Sequence, residues 1–166
     1  MQLKIEYIAS LVGIITSLVA IIGLLIELRR SRISLQTDTL LRLEDRFYSA
    51  DMISTRIKAA QKLLRGELEN EELSDVLDFF STTTLLLERK AIDRDLVYNL
   101  QSYWMIRYWL AARDYVKAAR ELDYETWTNL QRWVERFMKI EREKSYSEEE
   151  IRKFLQTEAR GKDIQS

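Results

Sequence analysis

The residue types that most often carry chemistry are scarce in this chain. Its 166 residues include no His and no Cys. This excludes imidazole-assisted triads, thiol nucleophiles, imidazole or thiolate zinc sites, di-iron sites built on Glu-x-x-His, and disulfides. Only Gly66 and Gly161 lie outside an N-terminal apolar run, so no Gly-rich phosphate loop exists. Carboxylates remain, but Asp75, Asp78, Glu88 and Asp93 are spaced like surface and capping groups, not like an inward-facing acid/base or metal cluster. Asp78 and Arg107 each fall near an apolar face and are expected to form a structural ion pair between two helices, fixing their register. No catalytic, cofactor-binding or metal-binding residue is assigned, no cofactor is expected, and an enzyme is not the reading of choice.

A second group able to contact a ligand is aromatic: Tyr103, Trp104, Tyr108, Trp109, Trp127 and Trp133. Trp104 and Trp109 cannot point the same way on one helix, so part of the group faces outward or meets another helix. Two readings stay open for Phe80, Trp104, Tyr108, Trp127 and Trp133, namely a bundle core or the lining of a pocket. Tyr and Trp suit either, because each joins a polar handle to a large apolar body.

The elements that hold these residues are helices. The chain has no Pro, and 46% of its residues are apolar against 32% charged. A missing turn former and helix breaker points to an all-α chain. Residues 7–26 are twenty consecutive uncharged positions, spanning about 30 Å as a helix, the thickness of a bilayer's hydrocarbon core. The expectation is a transmembrane anchor over residues 1–28. A cleaved leader is disfavoured by the length of the run and by its passage straight into Leu28, Arg29 and Arg30. The flanking cations Arg29, Arg30 and Arg32 place the C-terminal part on the cytoplasmic side of the plasma (inner) membrane, with the N-terminus outside. Inside the run, Ala9, Gly13, Thr16, Ala20 and Gly23 follow spacings of 4, 3, 4 and 3. Such a stripe lets two helices approach closely, so the anchor is also a candidate for homo-oligomeric packing.

No break signal follows the run, and Ile33, Leu40, Leu43 and Phe47 continue a helical period to about residue 48. Ser49 or Asp51 caps a second helix to Leu64, with Ile53, Ile57, Ala60 and Leu64 on one face and Gly66 as terminator. After a loop over 67–71, a third helix over about 72–90 is the most apolar of the set and therefore the central one. Asp93 caps a fourth to about 122, Asp123 a fifth to about 144, and Ser147 with Glu150 forms a capping box for a sixth. The expected fold is an N-terminal transmembrane helix continuing into a cytoplasmic bundle of about five helices over residues 29–160, followed by a polar tail over 161–166.

Several segments resemble a group of uncharacterised bacterial proteins, each with one N-terminal membrane helix and a compact helical cytoplasmic domain. The resemblance lies in Gln36 and Leu40, Arg46-Phe47 before Asp51-Met52, Val76-Leu77-Asp78-Phe79-Phe80, Ile92-Asp93 with Leu96-Val97, and Tyr103-Trp104 with Tyr108-Trp109. Where that group carries Glu-x-x-Gly after the paired aromatics, this chain has Ser81 and Thr84. The group is one of unknown function, so the resemblance implies an architecture and no activity.

Charge is balanced overall at net −1, but residues 27–66 hold nine Lys or Arg against five Asp or Glu, while the remainder to the C-terminus is net acidic. A basic segment beside the apolar run is the ordinary topology signal and suits an anionic bilayer surface. No basic face with a groove-reading motif supports nucleic-acid binding. The expected function is therefore a non-catalytic, membrane-anchored interaction or scaffold protein, whose partners are the bilayer, an unidentified protein and a second copy of the chain. The alternative is an effector whose assembled spans perturb the bilayer under control of the bundle.

Overall fold

In a computed structural model of the chain, the backbone is described for residues 2–141 and 146–161, and side chains from residue 17 onward. The expected polar tail beyond Gly161 lies outside the described residues. These contain seven helices and no strand: α1 Gln2–Phe47, α2 Ala50–Leu64, α3 Glu71–Glu88, α4 Arg94–Ala111, α5 Arg113–Leu122, α6 Thr128–Ile140 and α7 Glu148–Ala159. The chain divides into two compact units, Met1–Asp38 and Thr39–Ser166.

The first unit is helical and belongs to α1. The expected transmembrane helix is corrected here, because among the described residues no helix is long and apolar enough to cross a membrane. Among the residues whose side chains are described, α1 has an uncharged stretch over 17–26. Glu27, Arg29, Arg30 and Arg32 then interrupt it. The other half of the run, residues 7–16, lies outside the residues whose side chains are described.

The second unit begins with the last turns of α1, which bury Leu40, Leu43 and Phe47. The Ser49 side chain accepts from the Met52 amide and starts α2. The helix presents Met52, Arg56, Ala59 and Ala60 inward. This face is rotated from the expected Ile53–Ile57 stripe, because the two alanines admit close neighbours and Arg56 finds a buried partner. After α2, Gly66 adopts φ +71°, the left-handed conformation that favours glycine at a helix end. Asn70 starts α3 by accepting from the Leu73 amide at 3.0 Å, and its amide group donates to Ala59 O at 3.1 Å, which ties α3 to α2.

Two boundaries differ from the periodicity. The expected fourth helix breaks at Ala112, whose ψ of 5° departs from the helical value near −42°. Ala112 is fully buried, and the break lets α5 turn its narrow apolar stripe of Tyr115, Val116 and Ala119 onto the core. The expected fifth helix starts at Thr128 and is not capped by Asp123, which instead accepts from the Glu125 amide in a turn. Trp127 closes that turn at φ 54°, ψ 29°. A non-glycine residue in this region costs about 1–2 kcal/mol, offset by stacking of the Trp127 ring on Tyr115 at 5.8 Å and by its indole hydrogen bond to Asp78. As a result six helices follow α1, against the expected five or so.

In the packed unit α2 lies against α3 and α7, while α4 contacts α3, α6 and α7. The core is a chain of rings. Phe47 meets Phe79 at 5.3 Å, Phe80 at 5.7 Å and Trp104 at 5.4 Å, and Tyr108 meets Phe154 at 5.1 Å. Each buried ring contributes about 1.5–3 kcal/mol by leaving water, and each offset or edge-on pair about 0.5–1.5 kcal/mol more. The residues most distant in sequence, from the end of α1 to α7, are thereby joined through one aromatic core.

Candidate functional site

The most concentrated polar chemistry in the second unit lies inside it. Arg56 of α2 donates from Nε to Glu158 Oε2 of α7 at 3.0 Å, and the Tyr108 hydroxyl of α4 donates to the same oxygen at 2.7 Å. Arg56 also donates from Nη1 to Phe47 O at 3.3 Å and lies over the Phe47 ring at 4.2 Å. The two charged side chains are only 7% and 3% exposed. Burial first, then the adjacent Glu158 charge and the hydrogen bond to it, push the Tyr108 phenol well above its ordinary range. Both donors converge on one carboxylate oxygen inside the packed unit. The arrangement holds α1, α2, α4 and α7 in one register, as buried ionic groups can.

These three residues were not assembled by reading the sequence, although a signal existed. Arg56 falls at i+4 from Met52 and i−3 from Ala59, and Glu158 at i+4 from Phe154, so each charge interrupts the apolar face of its own helix. The expected pair, Asp78 with Arg107, is corrected. Asp78 accepts from Trp127 Nε1 at 2.6 Å. Arg107 lies over the Tyr103 ring at 3.7 Å and donates to Tyr103 O at 3.0 Å, one turn back on its own helix. A guanidinium that covers a neighbouring ring while keeping its head near water has no need of a carboxylate on α3.

Phe80, Trp104, Tyr108, Trp127 and Trp133 are all buried, at 0 to 8% exposure. They belong to one hydrophobic cluster with the other core residues. The indole nitrogens of Trp104 and Trp133 are buried without a hydrogen-bond partner. Ser81 and Thr84, the positions where the resemblance departs from its pattern, hold α6: Asn129 Nδ2 donates to Ser81 O at 2.9 Å and to Thr84 Oγ1 at 3.0 Å, and Ser81 Oγ donates back to Asn129 Oδ1 at 3.0 Å.

An open cleft of about 580 Å³ lies between the α1–α2 junction and α3, lined by Arg46, Asp51, Thr55, Asp75 and Asp78 among others. Among the described residues no group of three or more His, Cys, Asp or Glu is arranged to hold a metal ion. Elsewhere, Gln101 of α4 is fully buried and donates to Glu44 Oε1 at 2.7 Å. Burial raises the Glu44 carboxyl above its ordinary value, an effect that the Gln101 hydrogen bond offsets in part and neighbouring Asp45 reinforces.

The first unit carries a different kind of surface. Leu18, Val19, Ile21, Ile22, Leu24, Leu25, Ile26 and Leu28 are exposed at 50 to 63%. At 100° per residue they cover every side of α1 except the one occupied by Ala20, Gly23 and Glu27. A side chain added at Gly23 meets nothing within 4 Å. Ala20 and Gly23 are thus exposed on one face, whereas the side chains of Ala9, Gly13 and Thr16, the rest of the stripe, lie outside the described residues. Arg29, Arg30 and Arg32 follow, all exposed.

The chain belongs to the family described as a domain of unknown function, DUF4760, whose model matches residues 8–137. No curated protein and no solved structure matches the chain.

Proposed function

We propose that the protein is a non-catalytic scaffold that self-associates through α1. The observation that carries this reading is the stretch of eight large apolar side chains on α1, all at least half exposed. A helix that is apolar nearly all round is a buried helix in any stable arrangement, and among the described residues of the first unit nothing covers this one. The exposed apolar area is on the order of 800 Å², the share that one partner contributes to an interface of standard size. A second copy of the same helix is the occupant that suits it, because the Ala20–Gly23 face admits close backbone approach and the remaining faces offer apolar side chains for packing. A non-catalytic role accords with the polar groups of the second unit. Its buried ion pair, Arg56 with Glu158, and the Tyr108 hydroxyl are spent on one another.

The absence of Cys allows a clean test. In full-length protein, Ala20→Cys and Gly23→Cys are expected to form disulfide-linked dimers under mild oxidation, whereas Leu25→Cys, on the opposite side of the helix, is expected to cross-link far less. Gly23→Ile meets no neighbour within the chain and is expected to reduce pairing while leaving the melting temperature of the second unit unchanged. Equal cross-linking from both faces, or none from either, refutes the reading.

A further inference from the structure

A groove between α4, α5 and α6, separate from every feature described above, has an unusual lining. It encloses about 290 Å³, and its walls include Trp109, Arg113, Lys117, Arg120 and Gln131. Arg113, Lys117 and Arg120 stand at i, i+4 and i+7, on one face of α5. Cations at that spacing repel each other and weaken an isolated helix by a few tenths of a kcal/mol per pair. No carboxylate lines the groove, and among the described residues none forms an ion pair with these three cations.

Arg120 is held in place. It donates from Nε to Thr126 O at 3.0 Å and from Nη1 to Gln131 Oε1 at 2.7 Å, with its guanidinium 5.6 Å from the centre of the Trp109 ring. Its remaining nitrogen, Nη2, is buried and has no acceptor. Held by these two bonds beside the Trp109 ring, the Arg120 guanidinium keeps its charge fixed next to the groove. Two more cations stand within a helical turn or two, both on exposed stems. This combination of a pre-positioned Arg charge with an exposed Arg and an exposed Lys, and no carboxylate among the lining residues, suits a multiply charged oxyanion better than a single carboxylate.

We propose that the groove bounded by Trp109, Arg113, Lys117 and Arg120 is a binding site for a phosphoryl group. The phosphoryl oxygens take the Arg113 and Lys117 charges at the mouth, and the fixed Arg120 guanidinium adds positive charge to the groove wall. The half-buried Trp109 ring forms the adjoining wall and offers a stacking surface to an aromatic group carried by the same ligand.

The test is a titration of the full-length chain with inorganic phosphate, pyrophosphate and ADP, read by Trp fluorescence and by melting temperature. Saturable binding is expected, with pyrophosphate tighter than phosphate. ADP binding tighter than pyrophosphate identifies a nucleotide stacked on Trp109, and equal binding identifies the free anion. Arg113→Ala and Lys117→Ala remove exposed side chains and are expected to weaken binding about tenfold each without lowering the melting temperature of the unliganded protein. Lys139→Ala, an exposed cation on α6 outside the groove, is expected to bind as the wild type does. Absence of saturable binding, or equal weakening by Lys139→Ala, overturns the proposal.

Discussion

Replacing Glu158 with Ala leaves the Arg56 guanidinium without its carboxylate in a place where only 7% of the side chain reaches solvent. It also removes the shorter of the two hydrogen bonds that the Tyr108 hydroxyl donates, leaving the 3.4 Å bond to Arg56 O. Breaking a buried pair from one side costs about 3–5 kcal/mol, mostly the desolvation of the charge left behind. Tyr108→Phe removes one bond to a charged acceptor and leaves the ion pair intact, so it should cost about 1.5–3 kcal/mol. Replacing the whole network, Arg56→Met with Glu158→Leu and Tyr108→Phe, removes the desolvation penalty along with the attraction and should fall within about 2 kcal/mol of the wild type. All four Trp residues lie in the second unit, so urea unfolding of the full-length chain followed by Trp fluorescence reports on this unit. The pH dependence gives an independent check. The folded state holds the Tyr108 proton above the ordinary value of 10, whereas the unfolded chain releases it there, so this contribution is lost as pH rises past about 10. Tyr108→Phe should flatten the alkaline limb of the stability curve. A cost below about 1 kcal/mol for Glu158→Ala, or a triple variant no more stable than that single one, would refute the account of the network as a lock whose parts matter only together.

Two further outcomes follow from buried groups. The raised Glu44 carboxyl means that the folded state binds its proton more tightly than the unfolded chain, so its stability contribution grows as pH falls from neutral toward the ordinary value of 4.5. Glu44→Gln should therefore gain stability relative to the wild type at pH 7, with the difference shrinking in melts taken at acidic pH; a constant difference would contradict it. Phe80, fully buried against Phe47, Phe79 and Tyr108, should cost about 3–5 kcal/mol when truncated to Ala, read from the same urea curves, and an unchanged midpoint would place the core elsewhere.

Three helix starts set by a local side-chain bond were legible from the sequence, whereas Asn70, which caps α3, was read as part of a loop. Ser49, Asp93 and Ser147 accept from amides two or three residues ahead, and each stands immediately before an apolar period. Boundaries set by tertiary packing were not. Ala112 is an ordinary helix former with neither Gly nor Pro beside it, so only the demand that α5 bury Val116 marks the break. Trp127 leaves the helical region because its ring has a partner on α5 and its indole a partner on α3, neither of which is near in sequence. Of the uncharged run over residues 7–26, the part whose side chains are described is an exposed apolar stretch of α1, and among the described residues no helix is long and apolar enough to cross a membrane.

The same distinction explains which candidate site residues came together. The rings, for which a core and a pocket lining were both open, lie buried in one cluster, because burial of a large apolar body needs no particular partner and any packed face satisfies it. Charges need a named partner, so periodicity alone paired Asp78 with Arg107 although each had a better option nearby. The Arg56–Glu158 pair is 102 residues apart in sequence, and its only local trace is a charge on the apolar face of each helix. Arg120 carries the complementary signature. It sits on a cationic face, bonds to two neutral oxygens, and retains one buried nitrogen without an acceptor. Arg56 has its counter-ion inside the chain, whereas the groove beside Arg120 is lined by cations and by no carboxylate. That contrast separates a charge that holds the fold together from a cationic groove open to an anion.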